Sequence, residues 1–139
     1  MIWKIAVTPE ELNHRCRGTL VDHLGIEFIE VGKDHLTARM PVDKRTVQPA
    51  AIVHGGATAA LAETVASAGA NYCIEKERMA VGLELNINHI RTVRTGYVIA
   101  VAKPLHLGKS TQVWEIKITN EEGQLISAAR LTVAVMGRN

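Results

Sequence analysis

The stretch from Gly55 to about Tyr72 restricts what this chain can fold into more than any other. It is built from alanine, leucine, valine, glycine and small polar residues, and no proline interrupts it. Alanine is the strongest helix former, so the spacing predicts one long helix, about 27 Å in length. The run is apolar almost all round, which predicts a covered helix rather than a surface one. Residues 46–74 carry one formal charge, Glu63. A single carboxylate therefore stands alone in the most apolar part of the chain.

Four β-like segments follow, at 80–93, 97–104, 112–119 and 125–135. Thr95-Gly96, Leu107-Gly108 and Asn120-Glu121-Glu122-Gly123 supply the turns between them. No helix alternates with these strands, so the sheet is expected to be mainly antiparallel. Upstream, "LGIEFIEVG" sets Ile26 and Phe28 opposite Glu27 and Ile29, with imperfect alternation. "HLTARMPV" alternates cleanly, with Leu36, Ala38 and Met40 on one face. Val31-Gly32-Lys33-Asp34 reads as the hairpin turn between the two. Thr8-Pro9-Glu10-Glu11 is a helix start, with Thr8 as cap, Pro9 in the first turn and Glu11 at the capping-box position. That helix is expected to run to about Arg17. The predicted fold is α+β: six strands curling around one long helix in a single domain covering residues 1–139.

Composition narrows the function. Sixteen basic and fourteen acidic residues leave a formal charge of +2, and aromatic content is 4%. Without a basic tract or rings to stack on bases, no nucleic-acid partner is expected. The first residues have no apolar signal region, and the long uncharged run is broken by Gly-Gly and Glu63. A cytoplasmic protein without a membrane partner is expected. Cys16 and Cys73 lie far apart and should be free thiols in a reducing compartment. The six histidines are dispersed. No metal-ligand spacing, P-loop or GxGxxG occurs, and no Ser-His-Asp triad can be argued from spacing.

Several residues nevertheless suit chemistry. His54-Gly55-Gly56 lies where the long helix begins, and free backbone N–H groups there favour negative charge. Such an end can serve as an oxyanion hole; the glycine pair would equally permit a tight loop-to-helix turn. A buried Glu63 would be desolvated, which raises a carboxyl pKa and costs several kcal/mol unless the group is paired. Ser67, Thr64 and Gln48 are its candidate partners. The alternatives are an inter-subunit salt bridge or a position open to solvent. The Gln48 amide suits a hydrogen bond to substrate or to Glu63, and His54 either binds a substrate carbonyl or caps a turn. "NHIRTVRTG" sets His89, Arg91 and Arg94 at a strand end. Together with Lys109, Ser110 and Arg138 these suit phosphates, or form a solvated edge.

The combined pattern "MPVDKRTVQP", "VHGGATAALAET", "VGLELNINHIRTVRTG", "KPLHLGKSTQVWEIKI" and "EGQLISAARLTVAV" resembles the hotdog-fold acyl-CoA thioesterases. It is most similar to the small bacterial type acting on aromatic thioesters, over essentially the whole chain. The resemblance implies a six-stranded antiparallel sheet around one helix, homodimers that join two sheets and often form tetramers, and active sites at the dimer interface. It implies hydrolysis of an acyl-CoA, or of an acyl group on a carrier protein, without a cofactor. Glu63 would act as nucleophile or general base, and the Gly55 amide would polarise the thioester carbonyl. Gln48 and His54 would position that carbonyl and the attacking water. Ser67 matches a hydroxyl one turn beyond the carboxylate. His89, Arg91, Lys109 and Ser110, and less directly Arg138, fall where family members hold the nucleotide and phosphates of coenzyme A. Relatives commonly read "QPFGLLHGG" where this chain has "QPAAIVHGG", so Ala50 and Ala51 are expected to reshape the loop and open the acyl side. A hotdog hydratase would need an acid–His pairing near the helix start, which is absent here. A non-catalytic acyl-CoA binding domain would not need Glu63.

Overall fold

A computed structural model of the chain describes residues 1–138. The elements are α1 (Pro9–Arg15), α2 (Leu20–His23), β1 (Glu27–Val31), β2 (Leu36–Pro41), α3 (Gly55–Tyr72), β3 (Arg78–His89), β4 (Tyr97–Leu107), β5 (Thr111–Thr119) and β6 (Leu125–Gly137). The six strands form one sheet in the order β1-β2-β4-β5-β6-β3, and every neighbouring pair is antiparallel. Thr8 caps α1 by accepting the Glu11 N–H at 3.1 Å. The four-residue α2 has no counterpart in the sequence reading, because one turn is too short to show a period.

The clean alternation in β2 buries Leu36, Ala38 and Met40 completely. In β1 a bulge between Phe28 and Glu30 breaks the pleat. Phe28 stays in the core while Ile29 is 43% exposed, which is why the alternation of this segment looked imperfect.

Helix α3 lies across β2 to β6. Leu61, Ala62, Val65, Ala66 and Ala70 face the sheet and are fully buried. The fully buried Trp114 of β5 fixes the spacing between the two layers. Its ring fills the place where Gly69 has no side chain: a Cβ there would lie 2.7 Å from Cη2. The indole N–H donates to the equally buried Gln112 Oε1 at 2.8 Å.

The long helix packs on the six-stranded antiparallel sheet as expected, and the sheet covers one side of it. Gly56, Ala59, Ala60, Glu63, Thr64, Ser67, Ala68 and Asn71 remain partly or fully exposed. Their i, i+3, i+4, i+7 spacing makes them a single stripe. A single sheet layer reaches only one face of a helix, so this stripe is left uncovered within one chain.

No helix among the described residues is long and apolar enough to cross a membrane. Both cysteines are free; burial raises the Cys16 thiol and pushes Cys73 up to about 12. Neither is an activated nucleophile.

Candidate active site

The loop entering α3 is built by short-range hydrogen bonds. The Gln48 N–H donates to Ile52 O and the Ala51 N–H to Gln48 O, both at 2.9 Å, while Val47 and Val53 form a bridge. Arg94 Nη1 donates to Ala50 O at 3.2 Å. Ala51 sits at φ +64°, the one non-glycine residue in the left-handed region among those described. The bonds around Gln48 hold Ala51 in a backbone that suits glycine. The left-handed backbone costs an alanine about 1–2 kcal/mol, while glycine adds unfolded-state entropy worth about 0.4–1 kcal/mol. Ala51→Gly should thus stabilise the protein by about 0.5 kcal/mol, raising Tm by about 2 °C in a thermal melt. A fall in Tm would show that the loop is not strained.

Within this loop the Gln48 side-chain oxygen accepts the Ala50 N–H. Since a backbone N–H can only donate, the oxygen end is fixed and the NH2 end is left to bind a ligand acceptor. His54 caps α3, its Nδ1 accepting the Gly56 N–H at 2.8 Å. That bond requires a bare Nδ1, so in the neutral ring the proton is on Nε2. The Gly55 N–H, at the first helical position, has no acceptor among the described residues. Beside it, a Cβ on Gly55 would lie 2.7 Å from His89 Nε2. Gln48, Gly55, Thr58, His89 and Arg91 thus line one pocket of about 200 Å³ at the head of the helix.

Glu63 stands elsewhere. Its side chain is exposed and forms no hydrogen bond or ion pair among the described residues, so the expected burial and pairing are not found within one chain. None of Ser67, Thr64 and Gln48 bonds to it. The carboxylate lies over β3, where a Cβ on Gly82 would fall 2.5 Å from Oε2. Gly82 borders the bulge of β3, and its missing side chain makes the room. Thr64 and Ser67 line a groove of about 360 Å³ between α3 and the two short helices, with Leu12, Cys16, Phe28 and Tyr72. Glu63 is eight residues beyond Gly55, hence about 12 Å along the helix and about 80° around it.

The residues expected to hold phosphates divide between the two ends of β3. His89 closes that strand and Arg91 follows it. Ser110 and Lys109 lie at the other end, where Ser110 O accepts the Val135 N–H at 2.9 Å and Lys109 O accepts from Arg78 Nη1 at 2.9 Å. Arg138 is there too, its N–H donating to Glu77 O at 3.2 Å. Twelve residues of strand, roughly 36 Å, separate the groups.

A family model described as the Thioesterase superfamily matches residues 50–127. This chain belongs to the thioesterase superfamily. It is 48% identical over 136 residues to the 1,4-dihydroxy-2-naphthoyl-CoA hydrolase of Escherichia coli, covering 98% of this chain and 100% of that one. It is 49% identical over 137 residues to a proofreading thioesterase of Cronobacter turicensis, covering 99% and 100%. A crystal structure of a thioesterase from Haemophilus influenzae, 47% identical, superposes with a TM-score of 0.97 over 99% of this chain and 96% of that one. The sheet and long helix described above are the hotdog fold of these thioesterases, and the chain is a thioester hydrolase.

This thioesterase also holds a polar residue that the sequence reading passed over. Ser127 of β6 is fully buried, and its Oγ lies 2.8 Å from His89 Nδ1. The one available signal was a lone serine inside "LISAARL", an apolar strand. Chemically, the head of α3 offers N–H donors, whereas Glu63 offers an exposed carboxylate. The two groups are separated within the chain.

Proposed function

We propose that this protein hydrolyses acyl-CoA thioesters of aromatic or related acids, releasing the free acid and coenzyme A, in a site completed by a second copy of the chain. The observation that carries this reading is the separation of Gly55 from Glu63. At about 12 Å along one helix, the oxyanion donor and the carboxylate do not meet at a single carbonyl. A second, antiparallel α3 supplies what the first lacks, so that Glu63 of one copy serves the head of the other helix. The exposed stripe of small residues on α3 suits such an approach. At the sheet edge β3 is paired, among the described residues, only on its β6 side, with Leu83 61% exposed at its middle. An unpaired edge of this length invites pairing with another strand. Joining two β3 edges about a two-fold axis reverses one strand against the other. That brings the Lys109, Ser110 and Arg138 end of one copy towards the His89 and Arg91 end of the other, on a single coenzyme A.

In the reaction Glu63 either attacks the thioester carbon, giving an anhydride that water then hydrolyses to the free acid and the carboxylate, or takes a proton from the water that attacks instead. The Gly55 N–H and the free Gln48 NH2 stabilise the oxyanion; the C–S bond breaks and the thiolate leaves, to be protonated. No step needs a metal or an organic cofactor. The aromatic preference rests on the naphthoyl-CoA hydrolase similarity and the largely apolar groove beyond Glu63. An acylated carrier protein presents the same thioester on the same pantetheine arm, and the similarity to a proofreading thioesterase favours it as the second reading.

Thiol release measured over benzoyl-, hydroxybenzoyl-, naphthoyl- and fatty acyl-CoA is expected to give the highest kcat/KM among the aromatic substrates. A fatty acyl optimum would overturn that class. The shared site has its own test. Gln48→Ala and Glu63→Gln chains, each nearly inactive, are co-expressed and the mixed dimer is assayed. If one copy supplies Gln48 and the other Glu63, each mixed dimer has one intact site, about a quarter of all sites in a random mixture. A mixture no more active than its parents would place both residues in one chain's site.

A further inference from the structure

We infer that Ser127 and His89 form a positioning pair that adds a third oxyanion donor, His89 Nε2–H, beside the Gly55 amide and the Gln48 NH2. The inference rests on the reading of Gly55 as the group that polarises the thioester carbonyl.

The starting point is the burial of Ser127. Its side chain has no exposed area, and its one hydrogen-bond partner among the described residues is His89 Nδ1, at 2.8 Å. A buried hydroxyl hydrogen left without an acceptor costs about 1–3 kcal/mol. Were His89 to carry its proton on Nδ1, that proton would point at Ser127 Oγ and the serine O–H would have nowhere to donate. The arrangement that satisfies both groups has Ser127 donating to a bare Nδ1. The neutral ring then holds its proton on Nε2.

Placement makes that proton useful. His89 ends β3 directly opposite Ser127 in the ladder with β6, so the pair is set by strand register rather than by a loop. The ring edge carrying Nε2 lies against Gly55, where a Cβ would come within 2.7 Å of it. Nε2 itself accepts from no donor among the described residues. Gly55 at this point therefore does two things: it offers its own N–H and it admits the imidazole. His89 and Gly55 line the same pocket as Gln48 and Arg91. This moves His89 from the phosphates, where the family resemblance put it, to the reacting carbonyl. Ser127 acts only through His89 and is a positioning residue.

The test uses the full-length enzyme and ¹⁵N-labelled histidine. Long-range ¹H–¹⁵N spectra are expected to show His89 as the Nε2–H tautomer in the wild type and as a tautomer mixture in Ser127→Ala. With benzoyl-CoA, His89→Leu is expected to lower kcat by about 10², the loss of one oxyanion donor, with KM changed by less than about threefold. His89→Gln, whose amide NH2 can reach the Nε2 position, should recover at least tenfold of that loss. Ser127→Ala should fall between wild type and His89→Leu in kcat. An Nδ1–H tautomer in the wild type overturns the inference. So does a His89→Leu enzyme with wild-type kcat and only a raised KM, the result expected of a phosphate contact. If His89→Leu does not fold, the spectra and the His89→Gln and Ser127→Ala rates decide alone. Absence of thiol release by the wild-type enzyme would instead strike at the hydrolytic reading, and a normal tautomer would not repair it.

Discussion

Glu63→Gln is expected to lower kcat for thiol release by at least about 10², the scale of lost general-base catalysis, while acyl-CoA binding and folding persist. An amide keeps the shape of the carboxylate but neither attacks a thioester at a useful rate nor removes a proton from water. Folding should be indifferent because Glu63 is exposed and bonds to nothing among the described residues. A surface change of that kind usually alters stability by no more than about 0.5 kcal/mol. The measurement is a steady-state thiol-release assay beside a thermal melt and calorimetric binding of a non-hydrolysable acyl-CoA analogue. Turnover near that of the wild type would remove Glu63 from the mechanism. Loss of the melt would mean that the carboxylate supports the assembly instead.

The largest effect on stability is expected from Trp114→Ala. The indole is fully buried, packs against Gly69 in the helix and donates to the buried Gln112. Removing a large aromatic side chain from a core costs about 3–5 kcal/mol, and an unpaired Gln112 oxygen adds about 1–3 kcal/mol. Against a typical total of about 5–15 kcal/mol, most of the protein's margin is at stake. Urea unfolding should show a far lower midpoint, or no folded protein at all. A loss below about 1 kcal/mol would mean that α3 does not depend on this contact for its place over the sheet. The helix that Trp114 packs against carries both Gly55 and Glu63, so thiol release is expected to fall with the fold.

Much of this was legible in the residue order. The extent of α3 matched its alanine-rich run because local propensity and burial point the same way there. The alternation in β2 named its buried face for the same reason. The elements missed are those whose cause is not local. The bulge in β1 comes from pairing with β2, and α2 is a single turn defined by its neighbours. The left-handed Ala51 follows from the bonds around Gln48, although alanine alone argues against that conformation. His54 illustrates the boundary: its place at the helix head was readable, but only the 2.8 Å bond from the Gly56 N–H assigns it as the cap.

By itself the sequence determined the fold class, the long helix, its glycine head and the isolated carboxylate, along with the family these imply. It could do so because periodicity, turn residues and an unusual charge are properties of neighbouring residues. Only the tertiary structure decided which of the candidate residues stand together. Strand register set Ser127 beside His89, and the helix head carried that imidazole to Gly55. The rigid rise of α3 kept Glu63 about 12 Å away. The order of residues states what groups a site has available. The distances between them depend on elements far apart in the chain, and here those distances are the ground for proposing a second copy.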